Sequence, residues 1–375
     1  MSAVALLAER VFDGLLLHED VAVIVEGERI AALAARTDLP AELPAERVEG
    51  WLAPGFVDVQ VNGGGDVLFN DDPTPEGAIA IARAHRRFGT TGLLPTLITD
   101  RPEAMRAGIA AVREAMRREP GILGIHLEGP FISPDKPGVH RETYIRRPGP
   151  EDLDLLRSLD GGVTVVTLAP EIVPEGFVGA LARAGVRVCL GHSMATYEET
   201  RAALAEGLSG FTHLFNAMRP LGSRDPGPIA AALETPGCGY GLIVDGEHVH
   251  PAMLRLALRG AGTPMLVTDA MPCVGGRPGF SLYGEEIRVE GGRCLRADGT
   301  LAGAALDMAS AVRNAVRLLG LDLAEALAMA SRRPADFLGL GDRLGRIAPG
   351  YRADLVALDP ESVTVSRTWV AGRDG

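Results

Sequence analysis

Two histidines and a glutamate stand where short apolar runs give out. His192 closes VRVCLGH, His213 lies in GFTHLFN, and Glu128 ends GILGIHLE. Neutral imidazole nitrogens and a carboxylate are the donors a borderline-soft divalent ion such as zinc prefers, and a site that keeps one further position open is catalytic. Singly, each histidine reads more readily as a satisfied core residue, and Glu128 as a cap, since Gly129-Pro130 follows it. Together, with the histidines 21 residues apart and a carboxylate on an earlier run, they read as the metal site of a hydrolase. A further carboxylate, Asp269, ends PMLVTDA in the same manner, where the plainer reading is a strand-end cap.

The runs that carry these residues form a series. PGFVDVQ ends near Gln60, TGLLPTL near Thr96 and VTVVTLAPE near Glu171, while YGLIVDG ends near Asp245, making eight runs with the four above. Between most of them lie Ala/Leu/Arg/Glu segments of helical period, at 75–88, 102–118, 174–184 and 196–205. Strands buried on both faces and alternating with helices predict an α/β fold, a (β/α)8 TIM-like barrel whose chemistry gathers at the C-terminal strand ends. The barrel is expected over 51–347.

The ends differ from the middle, with alternating runs such as VAVIVEGERIAAL and ADLVALDPESVTVSRTWVAG. These predict antiparallel strands, and both ends are expected to meet in one small β-sandwich domain made of 1–50 and 348–375. A hairpin-like insertion is expected over 279–303, after the eighth strand.

Composition excludes several partners. A formal charge of −12 and a pI near 5.2 leave no basic stripe for nucleic acid or an anionic membrane, although one phosphate can be captured locally. The N-terminus lacks the basic start and apolar core of a signal peptide, no run is long enough to span a bilayer, and the expected location is the cytoplasm. Cys189, Cys238, Cys273 and Cys294 lack metal-binding or disulfide-framework spacing, which suits a reducing compartment.

HLEGPF (126–131) with GVH (138–140), LGHS (190–193), THLFNAM (212–218), DGEHV (245–249), VTDAM (267–271) and LAGAALDM (301–308) follow one another as in the N-acetylglucosamine-6-phosphate deacetylases of the amidohydrolase superfamily, which the chain resembles over essentially its whole length. The resemblance implies hydrolysis of the N-acetyl group of N-acetyl-D-glucosamine 6-phosphate to D-glucosamine 6-phosphate and acetate, in amino-sugar catabolism and cell-wall sugar recycling. A related substrate such as the galactosamine epimer, or a silent sugar-phosphate-binding homologue, is the alternative.

It also implies roles. Glu128, His192 and His213 hold one divalent metal, expected to be zinc, with iron, manganese or cobalt able to share the set. Asp269 takes a proton from water and passes it to the leaving amine. His140 hydrogen-bonds the acetyl carbonyl or a sugar hydroxyl beside Gly138 and Val139. Asn216, Ala217, Arg224 and His248 hold the 6-phosphate, with Arg224 and His248 reaching it across a homodimer interface; a guanidinium fork suits phosphate oxygens. Leu301, Ala302 and Gly303 close over the sugar, or form an ordinary turn before a helix, just as SRDPG around Arg224 reads equally as a solvated loop. His126, inside its run, reads as packing. Where the wider superfamily often carries a His-x-His pair for a second metal, this chain has Gln60-Val61-Asn62. Amides are poor zinc ligands beside imidazoles, so a second ion is expected to be weakly held or absent.

Overall fold

The computed structural model describes residues 3–374. Its centre is an eight-stranded parallel sheet: β1 (Phe56–Val61), β2 (Thr90–Ile98), β3 (Gly124–Glu128), β4 (Val163–Leu168), β5 (Arg187–Leu190), β6 (Gly210–Phe211), β7 (Gly239–Leu242) and β8 (Thr263–Leu266). They neighbour one another in chain order. Nearly every residue in them is buried, because helices cover the outside while side chains fill the inside. That explains why the runs read as continuously apolar rather than alternating. The ring closes just beyond β8, where the Asp269 N–H donates to the Gln60 carbonyl (3.0 Å) and the Asn62 N–H to that of Ala270 (2.9 Å).

The helices start where the local chemistry sets them. Thr74 caps Pro75–Arg86 by accepting from the Gly77 N–H, and Thr196 and Glu199 form a reciprocal capping box at the head of Tyr197–Glu206. Phe177–Arg183 begins three residues later than the expected 174.

Sheets from the two chain ends form a separate domain. One has the order Arg29–Ala35, Val21–Glu26, Val4–Leu7, Ala45–Arg47; the other runs Arg373–Asp374, Val365–Val370, Leu355–Leu358, Trp51–Pro54, Arg10–Phe12, Leu17–Glu19. Leu6, Val11, Val23, Leu52, Leu355 and Trp369 pack together in their shared core. The second sheet takes in Trp51–Pro54, paired with Leu355–Leu358, just ahead of the first barrel strand at Phe56.

The insertion after β8 is larger than a hairpin. Phe280–Leu282, Glu285–Glu290, Arg293–Leu295 and Leu301–Ala304 make a four-stranded antiparallel sheet. Its last strand contains Leu301, Ala302 and Gly303, which therefore form no turn. That strand bridges back to the barrel at Ala270.

Candidate active site

Leu190 of β5 pairs with Phe211 of β6, so His192 and His213 each fall two residues past paired strand ends. At both the backbone leaves the strand through a left-handed conformation, φ 48° and 31°, and Asp269 does the same at φ 51°. The change of direction turns the three side chains inward over the barrel axis. Glu128 reaches the same point from within β3. The Nε2 atoms of His213 and His192 lie 3.1 and 3.3 Å from its Oε1, and 3.1 Å from each other.

A second set, Glu128, His140 and His192, also has ligand atoms within 4.8 Å of one another. Hydrogen bonds distinguish the two histidines that compete for the third place. His192 Nδ1 lies 2.8 Å from the Lys136 carbonyl, an acceptor, so Nδ1 carries the proton and Nε2 offers a lone pair. His140 Nδ1 instead accepts from the Thr99 backbone N–H (3.3 Å) and faces the Thr99 hydroxyl at 2.7 Å. Its proton then sits on Nε2, which leaves that atom a hydrogen-bond donor rather than a lone pair for a metal. His213 Nδ1 is buried without a hydrogen-bond partner.

With His192 Nε2 a lone pair, the His213 Nε2 proton is what holds the three atoms together. Burial lowers the basicity of His213, but the Glu128 carboxylate outweighs it and holds the imidazole above its ordinary pKa. Burial pushes Glu128 up in turn, and its close contacts with the His192 and His213 imidazoles outweigh that, keeping it well below the carboxylate range. Two imidazole nitrogens crowded on one carboxylate oxygen form a donor set that a divalent cation satisfies better than a single proton, so the residues fit the metal the sequence implies.

Asp269 shares this chamber. Burial, then the nearby charge of Glu128, raises its carboxyl above the usual range. Gln60 and Asn62 hold it in place: Gln60 Nε2 donates to Asp269 Oδ1 (3.1 Å) and to both Glu128 oxygens (3.3 and 3.2 Å), and Asn62 Nδ2 donates to Asp269 Oδ1 (2.7 Å). The amides read only as poor ligands in the sequence turn out to orient both carboxylates. Behind them Asp58, wholly buried, accepts from the Thr268 hydroxyl at 2.5 Å, and burial pushes its carboxyl up to about 7. One layer deeper His126 is buried as packing, its Nδ1 donating to the Val59 carbonyl (3.0 Å) and Nε2 accepting from Thr167 (2.7 Å); burial pushes it down to about 4. Burial and the adjacent His192 likewise depress His140 well below the imidazole range, keeping it neutral.

Glu128, His140, His192, His213 and Asp269 line a cavity of about 320 Å³. Gly138, Val139, Asn216, Ala217, His248, Leu301 and Gly303 also line it, with Asn62, Ile98, Met271 and Thr300. Two glycines are required there. Gly138 has φ 56°, and a Cβ would meet His192 Cε1 at 3.2 Å; Gly303 has φ 63°, and a Cβ would strike Met271 at 2.5 Å. His248 Nδ1 pairs with Asp245 at 2.5 Å. Two expected residues stand apart. Ala302 is turned away from the cavity into an apolar cluster with Leu282, Ile287 and Cys294, because alternate residues of a strand face opposite sides. Arg224 lies exposed on its loop and outside the cavity of the single chain.

A parallel barrel with a histidine-carboxylate cluster at its C-terminal strand ends defines the class of metal-dependent barrel hydrolases. A family model described as "Amidohydrolase family" matches residues 51–374. The chain belongs to the amidohydrolase family. It is 44% identical over 327 residues, 86% of this chain and 82% of the relative, to an N-acetylgalactosamine-6-phosphate deacetylase of Shewanella sp. (strain ANA-3). It is 36% identical to the N-acetylglucosamine-6-phosphate deacetylase of Haemophilus influenzae, across 91% of each chain. Among solved structures, the N-acetylglucosamine-6-phosphate deacetylase of Pasteurella multocida superposes with a TM-score of 0.96 at 34% identity, covering 100% of this chain and 99% of that one.

Proposed function

We propose that the chain hydrolyses the acetamide of N-acetyl-D-glucosamine 6-phosphate, giving D-glucosamine 6-phosphate and acetate. The observation that carries this reading is the pairing, in one cavity, of the Glu128, His192 and His213 donor set with Asp269, a half-buried carboxyl of raised pKa bridged to it through Gln60. Deacetylase relatives matched over 82% or more of their own length, one of them with the same fold, supply the substrate class.

Glu128, His192 and His213 would hold one divalent ion, zinc by preference, which supplies Lewis acidity to the acyl oxygen and lowers the pKa of water. Asp269 accepts a proton from the attacking water through Oδ2, the oxygen that Gln60 and Asn62 leave free, and returns it to the departing nitrogen. Its raised pKa suits both tasks, since a base poised nearer neutrality is also a usable acid. Neutral His140 donates through Nε2 to the oxygen on which charge builds. Gln60 and Asn62 hold both carboxylates so that neither has to reorganise.

Asn216, Ala217 and His248 form the side of the cavity assigned to the 6-phosphate, with Arg224 brought to it in a homodimer. Its exposure in the single chain supports that arrangement, because a guanidinium free of its own protein is available to a second copy. A second reading, the galactosamine epimer as substrate, is favoured by the Shewanella relative.

The test is acetate release from N-acetylglucosamine 6-phosphate, its galactosamine epimer and the unphosphorylated sugar, before and after chelation and with zinc restored. The expected result is chelator-sensitive, phosphate-dependent release with the glucosamine compound preferred. Preference for the epimer moves the assignment to the second reading; no release from any of them by metal-replete protein overturns both.

A further inference from the structure

Outside the catalytic cluster, one pair of reactive groups joins two segments distant in sequence. Cys273 lies four residues beyond Asp269, and Cys294 lies on the Arg293–Leu295 strand of the inserted sheet. Their Sγ atoms are 3.7 Å apart. Cys294 is fully buried among Leu68, Ile98, Met271, Leu282, Ile287 and Ala302, while Cys273 is partly open to solvent. A disulfide needs the sulfurs at about 2.05 Å, so a displacement of about 1.7 Å, within the reach of small side-chain rotations, would join them.

We propose that Cys273 and Cys294 are an oxidisable pair, a modification site at which a hydroperoxide forms a disulfide and staples the inserted sheet to the segment carrying Asp269. The two sulfurs have the asymmetry such a pair needs. Cys273 is the accessible member, and the Cys294 S–H hydrogen bond to it holds its thiol below the ordinary range, favouring thiolate. Cys294 is pushed up by that same bond and by burial, so it stays a thiol until a partner sulfur is oxidised.

The chemistry balances with a hydroperoxide as oxidant. The Cys273 thiolate attacks the distal peroxide oxygen, the O–O bond breaks and an alcohol, or water from hydrogen peroxide, departs after taking up a proton. The resulting sulfenic acid is attacked by the Cys294 sulfur; the S–S bond forms, the S–O bond breaks, and the oxygen leaves as water with the Cys294 proton. Two electrons pass from the sulfurs to the peroxide.

The location gives the bond a consequence. The inserted sheet is tied to the barrel through the Tyr283 hydroxyl, which donates to the Thr99 carbonyl (2.8 Å), and through Ala304, whose N–H donates to the Asp269 carbonyl (2.9 Å). Cys294 sits between these ties, on the strand paired with Leu301–Ala304. A covalent link there restrains the strand from which Leu301 and Gly303 face the cavity.

The experiment treats metal-replete protein with a few equivalents of hydrogen peroxide, alkylates free thiols and digests without reductant. Expected is one cross-linked product containing Cys273 and Cys294, lighter than the two free peptides by about two mass units for the two hydrogens lost, and absent after dithiothreitol. In Cys273→Ser, Cys294 is expected to remain a free thiol. In Cys294→Ala, Cys273 is expected to stop at a sulfenic acid that a 1,3-dicarbonyl probe captures. Amide hydrogen exchange over 280–304 is expected to slow about tenfold on oxidation of the unmutated chain, because local opening of the sheet then has to carry the cross-link. Sulfinic or sulfonic acid at Cys273 with Cys294 still alkylatable overturns the pairing, as do two unreacted thiols. Unchanged exchange with the cross-link formed overturns the staple. All these readouts are independent of the deacetylase reading, since none measures turnover.

Discussion

The two sides of the cavity are built in different ways. On one side Glu128, His192, His213 and Asp269 stand at barrel strand ends, the first three buried and Asp269 half-buried, and are tied by Gln60, Asn62 and the Lys136 carbonyl into one hydrogen-bonded cluster. On the other side, proposed above to hold the phosphate, the residues are on loops: Asn216 and Ala217 beyond β6, His248 beyond β7, and Arg224, which is exposed and reaches no part of the cavity within one chain. The side proposed to react is preorganised by the barrel itself, whereas the side proposed to bind the anion is left to loop segments. The contrast separates the two tasks: bond cleavage needs positions fixed to fractions of an ångström, and phosphate capture needs charge.

The largest effect that would break this contrast is on the reacting side. Glu128→Gln keeps the shape but removes the charge on which His192 and His213 converge, and should lose the metal and at least about a thousandfold in activity. Metal content after dialysis and acetate release check both; retention of either would place the ion elsewhere. Asp269→Asn comes next, with an expected loss of about 10²–10⁴-fold in turnover and metal content unchanged. The pH profile sharpens it. The base works deprotonated, so the rate falls as pH drops through its pKa, and because burial and Glu128 raise that pKa the acid limb of kcat/KM should lie above the range of an ordinary aspartate. A limb at the ordinary position would remove Asp269 as the base. The smallest effect is expected from Arg224→Ala: KM for the phosphorylated sugar should rise roughly ten- to hundredfold, as for a lost charged hydrogen bond, with the unphosphorylated sugar unaffected. Equal losses on both substrates would make Arg224 structural.

Much of the first side was legible from the chain because a residue just past a buried parallel strand has few places to go. The barrel, the positions of Glu128, His192, His213 and Asp269, and the packing role of His126 follow from where apolar runs end. What escaped depends on partners far away in sequence. Gln60 meets Asp269 across 209 residues and Glu128 across 68, and no local pattern marks an amide as the holder of a carboxylate. The contact that sets the His192 tautomer comes from the backbone of Lys136, which any residue type could have supplied. Strand alternation sent Ala302 into the apolar cluster once 301–304 formed a strand, an outcome hidden while the segment read equally as a cover over the sugar or as a turn before a helix.

The left-handed backbone at the mouth of the barrel has a consequence for the stability of the whole molecule. His192, His213, Phe215, Ala217 and Asp269 all have φ between 31° and 81°, where a side-chain-bearing residue costs roughly 1–2 kcal/mol relative to right-handed backbone. Glycine would occupy these five positions without that penalty, yet glycine at His192, His213 or Asp269 would carry no imidazole or carboxylate. The protein therefore keeps its reactive groups at positions where its fold would be more comfortable without them, and natural drift or engineering toward a more heat-resistant chain has its easiest gains where they would cost it the reaction.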